Sequence, residues 1–431
     1  MDGPKSREND RKELNEPNGL NFMSYNNLRQ ISNDLLDEVQ TLSFVRHEIY
    51  DFLEPPKQKT VIVKGPRGVG KTTAILQYLA AKRGQGKSVL YLSADSVYLS
   101  DALDNVVMKF NAGGGDYLVV DEIHKYPQWD RYVKSILDSF PKIKLITSGS
   151  SSLSIEQKSV DLSRRHMMIN ARGLSFREYV LMSYRINLDV YTLEQIVTQH
   201  EDISYEVLKK LKGQKVDIID SFHLYLRQGY FPSRVDYQSV GHYYQSLLNS
   251  VAKVVEEDVF LSCDGVDKQS VLNMKRLLRH ISHKCPFTPN ISELSRSLSI
   301  ANDNTLKKYL LMLSDADVLR NLYRQDKSHK DFPRPEKIFL ENTNYMYAHS
   351  DAADIGNVRE TFVANTLSKN HFITAPRQGD ILVDNKYLFE IGGRGKKRTK
   401  IKNISDAFVV ADNILHGDKN KIPLWILGLL W

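Results

Sequence analysis

Two short stretches hold the residues with the most chemistry to offer. GPRGVGKTT runs from Gly65 to Thr73, and DYLVVDE ends in the adjacent carboxylates Asp121 and Glu122. The first places two glycines five apart, Gly65 and Gly70, ahead of Lys71 and Thr72. Glycines let backbone amides curl around phosphate oxygens, and a helix starting at once adds the positive end of its dipole. This loop (Gly65, Pro66, Arg67, Gly68, Val69, Gly70) with Lys71, Thr72 and Thr73 is the expected nucleotide cradle. Lys71 would neutralise the β- and γ-phosphates, and Thr72 would place its hydroxyl on Mg²⁺. Asp121 suits the outer shell of the same ion, and Glu122 a base that orients water towards the γ-phosphate. The plain alternative for Glu122 is a cap on the next helix.

Weaker candidates follow. KIKLITSGSSSL ends a strand in Thr147 and Ser148, hydroxyls that would contact the γ-phosphate or the attacking water, or else cap a turn. DLSRRHMMIN sets Arg164 and Arg165 just before another strand. One of them would read the γ-phosphate, in cis or from a neighbouring protomer, or the two form a surface pair. His124 reads as a solvated residue at a helix start.

The elements that must position these residues are legible. TVIVKG, SVLYLS, DYLVVDE, KIKLITSGS and RHMMIN are apolar nearly throughout, as strands are when helices cover both faces of a parallel sheet. TTAILQYLAAK has helical period. Residues at the C-terminal ends of such strands meet at one edge, where ligands bind. Upstream, LLDEVQTLSFVRHEIYDFLE reads as one amphipathic helix ended by the prolines of EPPK. Residues 176 to 325 are mostly helix-patterned, and strands return from KIFLENTNYMY.

GPRGVGKTT, YLVVDEIHKYPQW, ITSGSSSL, SRR, GLSFREYV and RQGYFPS occur in the order found in a widespread group of prokaryotic AAA-like P-loop ATPases, related to archaeal-type and signal-transducing ATPases. The chain resembles that group over nearly its whole length after about residue 25. The resemblance implies an α/β P-loop core, a helical region, a winged-helix segment and a C-terminal restriction-endonuclease-like domain. It gives no mechanism for LSFREYV or GYFPS. The expected organisation is a disordered lead at 1–24, the ATPase core with its leading helix at 25–175, a helical lid at 176–265, a winged helix at 266–330 and a nuclease-like domain, expected to be inactive, at 331–431.

Within the middle region, NISELSRSLSIANDNTLKKYLLMLSDADVLRNLYR has helix-turn-helix spacing. Ile291, Leu294 and Leu298 share one face, Leu306, Leu310 and Leu313 another, and VLRNLYR would be the wing strand. As a DNA reader it would turn Asn304, Lys307 and Lys308 to the major groove; as an adaptor it would hold a protein. At the C-terminus, GDILVDNKYLFEIGG would fold into a hairpin that brings Asp380 opposite Glu390, with Glu360 of NVRETFVANTL as a third carboxylate. A restriction-type nuclease wants a lysine two residues after the second acid. That position is Gly392; Lys396 or Lys397 beyond it would have to stand in as a migrated lysine across intervening glycines, and without that charge the site reads as vestigial. RGKKRTKIK, six cations in nine residues, would bind nucleic acid non-specifically or be a solvated loop.

Composition fits these readings. The chain has 431 residues, 41% hydrophobic and 26% charged, with a net charge of +7 that mildly favours an anionic partner. No run approaches the roughly 18 apolar residues of a membrane helix. The charged start is no secretory signal, and two cysteines, Cys263 and Cys285, suggest a reducing, cytoplasmic setting. The leading expectation is Mg²⁺-dependent ATP hydrolysis driving a conformational switch, with DNA or a protein as partner. The alternatives are an ATP-binding interaction module with little turnover, and an ATP-gated DNA nuclease. The oligomeric state is open.

Overall fold

The computed structural model describes residues 24–96, 103–150, 162, 164–260, 263, 265–324 and 334–431. The expected disordered lead lies outside these residues, apart from Ser24. Five strands form the first sheet: β1 (Thr60–Lys64), β2 (Val89–Ser93), β3 (Tyr117–Asp121), β4 (Lys144–Gly149) and β5 (His166–Asn170). Their order is β2-β3-β4-β1-β5, and every pairing is parallel. β1 and β3 are buried along their full lengths because both faces are covered. Val61, Val63, Val119 and Ile146 share a core with the helix Lys71–Gly84. Ile62, Leu118, Val120 and Leu145 face the helices Leu103–Ala112 and Trp129–Ser139.

The segment before β1 departs from its expected single helix. A helix spans Tyr25–Val39, the chain then runs without helix to Arg46, and one short turn follows at His47–Tyr50. Thr41, Ser43 and Val45 are modest helix formers. The interruption turns Arg46 inwards to bonds no helix could offer. Tyr25–Val39 also closes the open edge of β2, where the Tyr91 amide donates to the Ser32 hydroxyl (3.0 Å).

Residues 176 to 325 are mostly helical among those described, as their patterning predicts, with a strand only at Leu319–Leu322. Ser175 and Glu178 make a reciprocal capping box at Phe176–Tyr184, and Thr192 and Gln195 do so at Leu193–Lys212. The helix Val240–Lys253 continues into a π-helical turn, Val254–Val259. Ile291–Ser297 and Asp303–Asp315 form the expected helix pair, each capped by an asparagine, Asn290 and Asn302. An antiparallel ribbon follows, β6 (Leu319–Leu322) with β7 (Lys337–Leu340).

The C-terminal sheet is mixed: β8 (Ile373–Thr374), β9 (Ile381–Val383), β10 (Tyr387–Gly392), β11 (Ala407–Ala411) and β12 (Lys421–Pro423), in the order β12-β11-β10-β9-β8. β8, β9 and β10 pair antiparallel, and β10, β11 and β12 parallel. One hydrophobic core runs from the face of the first sheet under the helix Lys71–Gly84 through the helical region to this second sheet. Among the described residues no helix is long and apolar enough to cross a membrane, and Cys263 and Cys285 form no disulfide.

Candidate functional site

The site gathers at the C-terminal edge of the first sheet. Gly65 (φ 150°), Gly68 (φ 80°) and Gly70 (φ 85°) carry the loop from β1 into Lys71–Gly84. At Gly65 a Cβ would stand 1.9 Å from the Ala171 carbonyl oxygen, so only glycine fits between β1 and the exit of β5. Lys71 is 5% exposed and donates to the Gly65 and Pro66 carbonyls (2.7 and 3.0 Å). Burial pushes its ammonium below the usual lysine range against the pull of Glu122 and Asp121.

Asp121 sits where the spacing puts it. Its carboxylate accepts from the Thr72 hydroxyl (2.6 Å), the Tyr91 hydroxyl (2.7 Å), the Glu122 amide (3.0 Å) and Ser148. Burial, with the Glu122 charge, pushes its carboxyl above the usual aspartate range over the opposing bonds from Thr72 and Tyr91. Thr72 and Asp121 therefore offer adjacent hard oxygens, a donor set that fits Mg²⁺ sharing its shell with phosphate and water.

Glu122 adopts left-handed backbone (φ 51°), which is rare for a residue with a Cβ and typical of functional sites. Its side chain makes no cap on the following 3₁₀ turn, Ile123–Lys125. Instead Oε2 accepts from the Ser150 hydroxyl (3.0 Å) and amide (3.3 Å). Burial would raise this carboxyl, but Lys71, His124 and Ser150 hold it below the ordinary range. It stays ionised at neutral pH, as a base must be.

The structure sorts the weaker candidates. Ser148 serves Asp121, two residues after Ile146 on the face shared with Lys71–Gly84. Thr147, one residue earlier, takes the opposite face with Leu145 and is fully buried, away from the phosphate loop. Arg164 and Arg165 lie at the wrong edge of the sheet. The Arg165 carbonyl accepts from the amide of Thr60, the first residue of β1, and its guanidinium pairs with Asp138. In a parallel sheet that is the edge opposite the glycine loop, so neither arginine reads a phosphate in cis. His124 is not solvated: its side chain is 5% exposed, between Glu122 and Asp258.

Arg46 is a participant that motif reading missed. Its guanidinium donates to the Val69 carbonyl (2.6 Å), to the Arg172 and Gly173 carbonyls (2.7 and 3.2 Å) and to both Glu178 oxygens (3.1 and 2.9 Å). The LSFREYV stretch thus holds the glycine loop through Glu178. GYFPS does so by packing: a Cβ on Gly68 would meet the Ser233 hydroxyl at 2.7 Å, and one on Gly70 the Pro232 ring at 3.4 Å. No local rule links these residues to a phosphate loop; their partners are far along the chain.

Between these elements lies a cleft of ≈ 620 Å³. Gly68, Gly70, Lys71, Thr72 and Glu122 line it together with the apolar Leu42, Phe44, Met182 and Val235. Such a mixed lining suits a ligand with charged and flat aromatic parts.

The C-terminal candidates gather around Lys396, whose ammonium feels the charges of Glu390, Asp380 and Glu360, and each acid is engaged by a donor or cation. The hairpin forms, with Asp384 and Asn385 both at positive φ in its turn and Ile381 paired with Phe389. Asp380 accepts from the Ile391 amide (2.6 Å), Glu390 pairs with Lys396 (2.7 Å), and Glu360 pairs with Lys337. Lys396 passes through the space a side chain at 392 would fill, its Cδ 2.7 Å from a Cβ built on Gly392. Among the described residues no group of three His, Cys, Asp or Glu side chains is placed to hold a metal. Lys397 is exposed, and Asn304 is exposed beside half-buried Lys307 and Lys308.

Sheet order, loop and Asp121 define the α/β fold of a P-loop NTPase. Residues 57–180 match the family model of an AAA domain, and residues 219–343 match a domain of unknown function. An uncharacterized protein of Methanocaldococcus jannaschii is 24% identical over 418 residues, spanning 90% of this chain and 86% of its own. One from Haemophilus influenzae is 22% identical over 388 residues, spanning 85% and 88%. Among solved structures, a DNA replication initiation factor (14% identity, 68% of this chain, 90% of its own) and AMPPCP-bound DnaA from Aquifex aeolicus (13%, 67%, 83%) each give a TM-score of 0.22. At that score neither bears on this chain's activity.

Proposed function

We propose that the chain binds ATP with Mg²⁺ and hydrolyses it, with Glu122 as the base. The observation that supports this most is the convergence of Lys71, Thr72, Asp121 and Glu122 at one sheet edge beside the cleft. Lys71 would leave its carbonyls for the phosphates, and the amides of Gly68 to Thr73 would bind the same oxygens. Thr72 and Asp121 would hold Mg²⁺, which screens phosphate charge when bound. Glu122, ionised and fixed by Ser150, would take a proton from water as it attacks. Arg67, at the cleft wall, is the cation best placed in cis to meet developing charge in place of Arg164 and Arg165.

The same cleft is walled by Met182, Pro232, Ser233 and Val235 of the helical region, so ligand binding would bear on how that region sits. We read this as a switch whose output passes to the helix pair at 291–315 and the C-terminal sheet. The winged-helix and nuclease-like assignments belong to this proposal, with the paired acids of the C-terminal sheet favouring binding over cleavage. Steady-state turnover tests the reading. The wild type should release phosphate from ATP, and Glu122→Gln should lose at least about 100-fold in kcat while still binding nucleotide. Equal rates would remove Glu122 as the base. Turnover compared with and without single- and double-stranded DNA tests the nucleic-acid output.

A further inference from the structure

A buried polar cluster of His124 and Asp258 lies beside Glu122. The cluster carries an inference. We propose that His124 is a positioning residue for Glu122, itself held by Asp258, so that the base is aligned only while the helical region is docked against the turn after β3. The proposal rests on the hydrolytic reading of Glu122.

After β3 the left-handed Glu122 starts the 3₁₀ turn, with Ile123 fully buried as its anchor. His124 then lies against the base: Nδ1 is 3.4 Å from Glu122 Oε2, and Nε2 is 3.9 Å from Asp258 Oδ1. Its side chain is 5% exposed and that of Asp258 4%. No hydrogen bond from a described residue reaches either imidazole nitrogen or Asp258 Oδ2. An imidazole on a surface turn is harmless. One buried with both nitrogens unbonded is disfavoured by about 1–3 kcal/mol per unpaired group. A structural histidine would be expected to find partners or turn to water. This one stays wedged between two carboxylates, one of them the candidate base.

The wedge limits Glu122. Its Oε2 is held by Ser150 and at the same time hemmed in by the His124 ring. Removing the ring would let the carboxylate swing off Ser150. Misplacing a catalytic group by an ångström is enough to lose about two orders of magnitude in rate.

Asp258 brings in the second half of the proposal. It belongs to the π-helical turn that extends Val240–Lys253, a geometry that often marks functional positions because it breaks the regular helical face. Val255 and Val259 are fully buried and seat the turn. Its consecutive acids meet consecutive residues of the turn after β3, Glu257 on Lys125 (2.8 Å) and Asp258 on His124. The Lys125–Glu257 pair is partly exposed and weak alone; its value is register. The helical region thereby touches the residue that flanks the base, and a shift of that region would reach Glu122 without touching nucleotide.

The test compares wild type, Glu122→Gln, His124→Ala, Asp258→Ala and their double variant in the full chain. Each is measured for kcat and for affinity to a fluorescent non-hydrolysable ATP analogue. Positioning predicts a fall in kcat of about 10- to 100-fold in either single variant, with analogue affinity within twofold. The double variant should be no slower than the slower single one, and His124→Gln, which restores length and a polar end, should recover most of the turnover. Wild-type kcat in His124→Ala or Asp258→Ala, with Glu122→Gln inactive, overturns the positioning role and leaves the hydrolytic reading standing. Lost analogue affinity in the variants overturns it too, because the cluster would then be structural. Equal turnover by Glu122→Gln and wild type removes the base, and His124's role with it. If Asp258→Ala does not fold, Asp258→Asn, which keeps the volume, takes its place under the same criteria.

Discussion

Replacing Glu178 with glutamine tests whether the glycine loop depends on a brace outside it. Glu178 is fully enclosed and faces Arg46, which is equally buried. Burial alone would raise its carboxyl; the Arg46 charge and hydrogen bonds, with the Ser175 amide, hold it below its ordinary 4.5. Glutamine keeps the shape but supplies one acceptor where Arg46 and Ser175 need several, and it leaves the guanidinium without a counter-charge. Breaking a buried pair from one side destabilises by about 3–5 kcal/mol. Against a typical total of about 5–15 kcal/mol, that is a large share. An apolar swap often rescues such pairs. Here Arg46→Met with Glu178→Leu should not, because it strands the Val69, Arg172 and Gly173 carbonyls, about 1–3 kcal/mol for each that stays dry. Urea unfolding reads the stability, and titration with the fluorescent ATP analogue reads the loop, whose Val69 carbonyl loses its donor in the double variant and holds a less anchored one in Glu178→Gln. The pH dependence has a fixed sign. With the folded value depressed, the pair's contribution is full above about pH 4.5 and is lost as pH falls through the folded value. A Glu178→Gln protein within about 1 kcal/mol of wild type, with unchanged analogue affinity, would refute the brace.

Two more outcomes are expected. Lys71→Ala should lose the stabilisation that ATP confers, about 2.7 kcal/mol at a hundred times Kd, seen as an ATP-dependent rise in melting temperature that the variant lacks. Arg164→Ala and Arg165→Ala should keep wild-type turnover within about twofold at concentrations where the chain is monomeric, since both lie at the far edge of the sheet; a larger loss in single-turnover assays would return one of them to the site.

What the chain's own letters reveal depends on how local the physics is. Gly65 to Thr73 and Asp121–Glu122 were legible because loop, strand end and helix start are adjacent in sequence. The hairpin at Ile381–Gly392 was legible for the same reason. Thr147 and Ser148 were within reach of the two-residue strand period, which sends neighbours to opposite faces. Arg164 and Arg165 precede a parallel strand, and that alone assigns them to the edge away from the loop. Arg46, His124 and Lys396 were of another kind. Each takes its meaning from a partner or a gap that only packing brings near: Glu178, Asp258, and the missing side chain of Gly392. The one expected upstream helix failed because Arg46's bonds outweigh a modest helical preference.

The brace between Arg46 and Glu178 spans 132 residues. During synthesis the glycine loop therefore leaves the ribosome well before the residue that will hold it. At about 5–20 residues per second the interval is on the order of ten seconds. Until then the nascent loop has an arginine without its carboxylate, and a fragment ending at residue 175 would never acquire one. Nucleotide competence would arrive late on the growing chain, in step with the helical region rather than with the sheet.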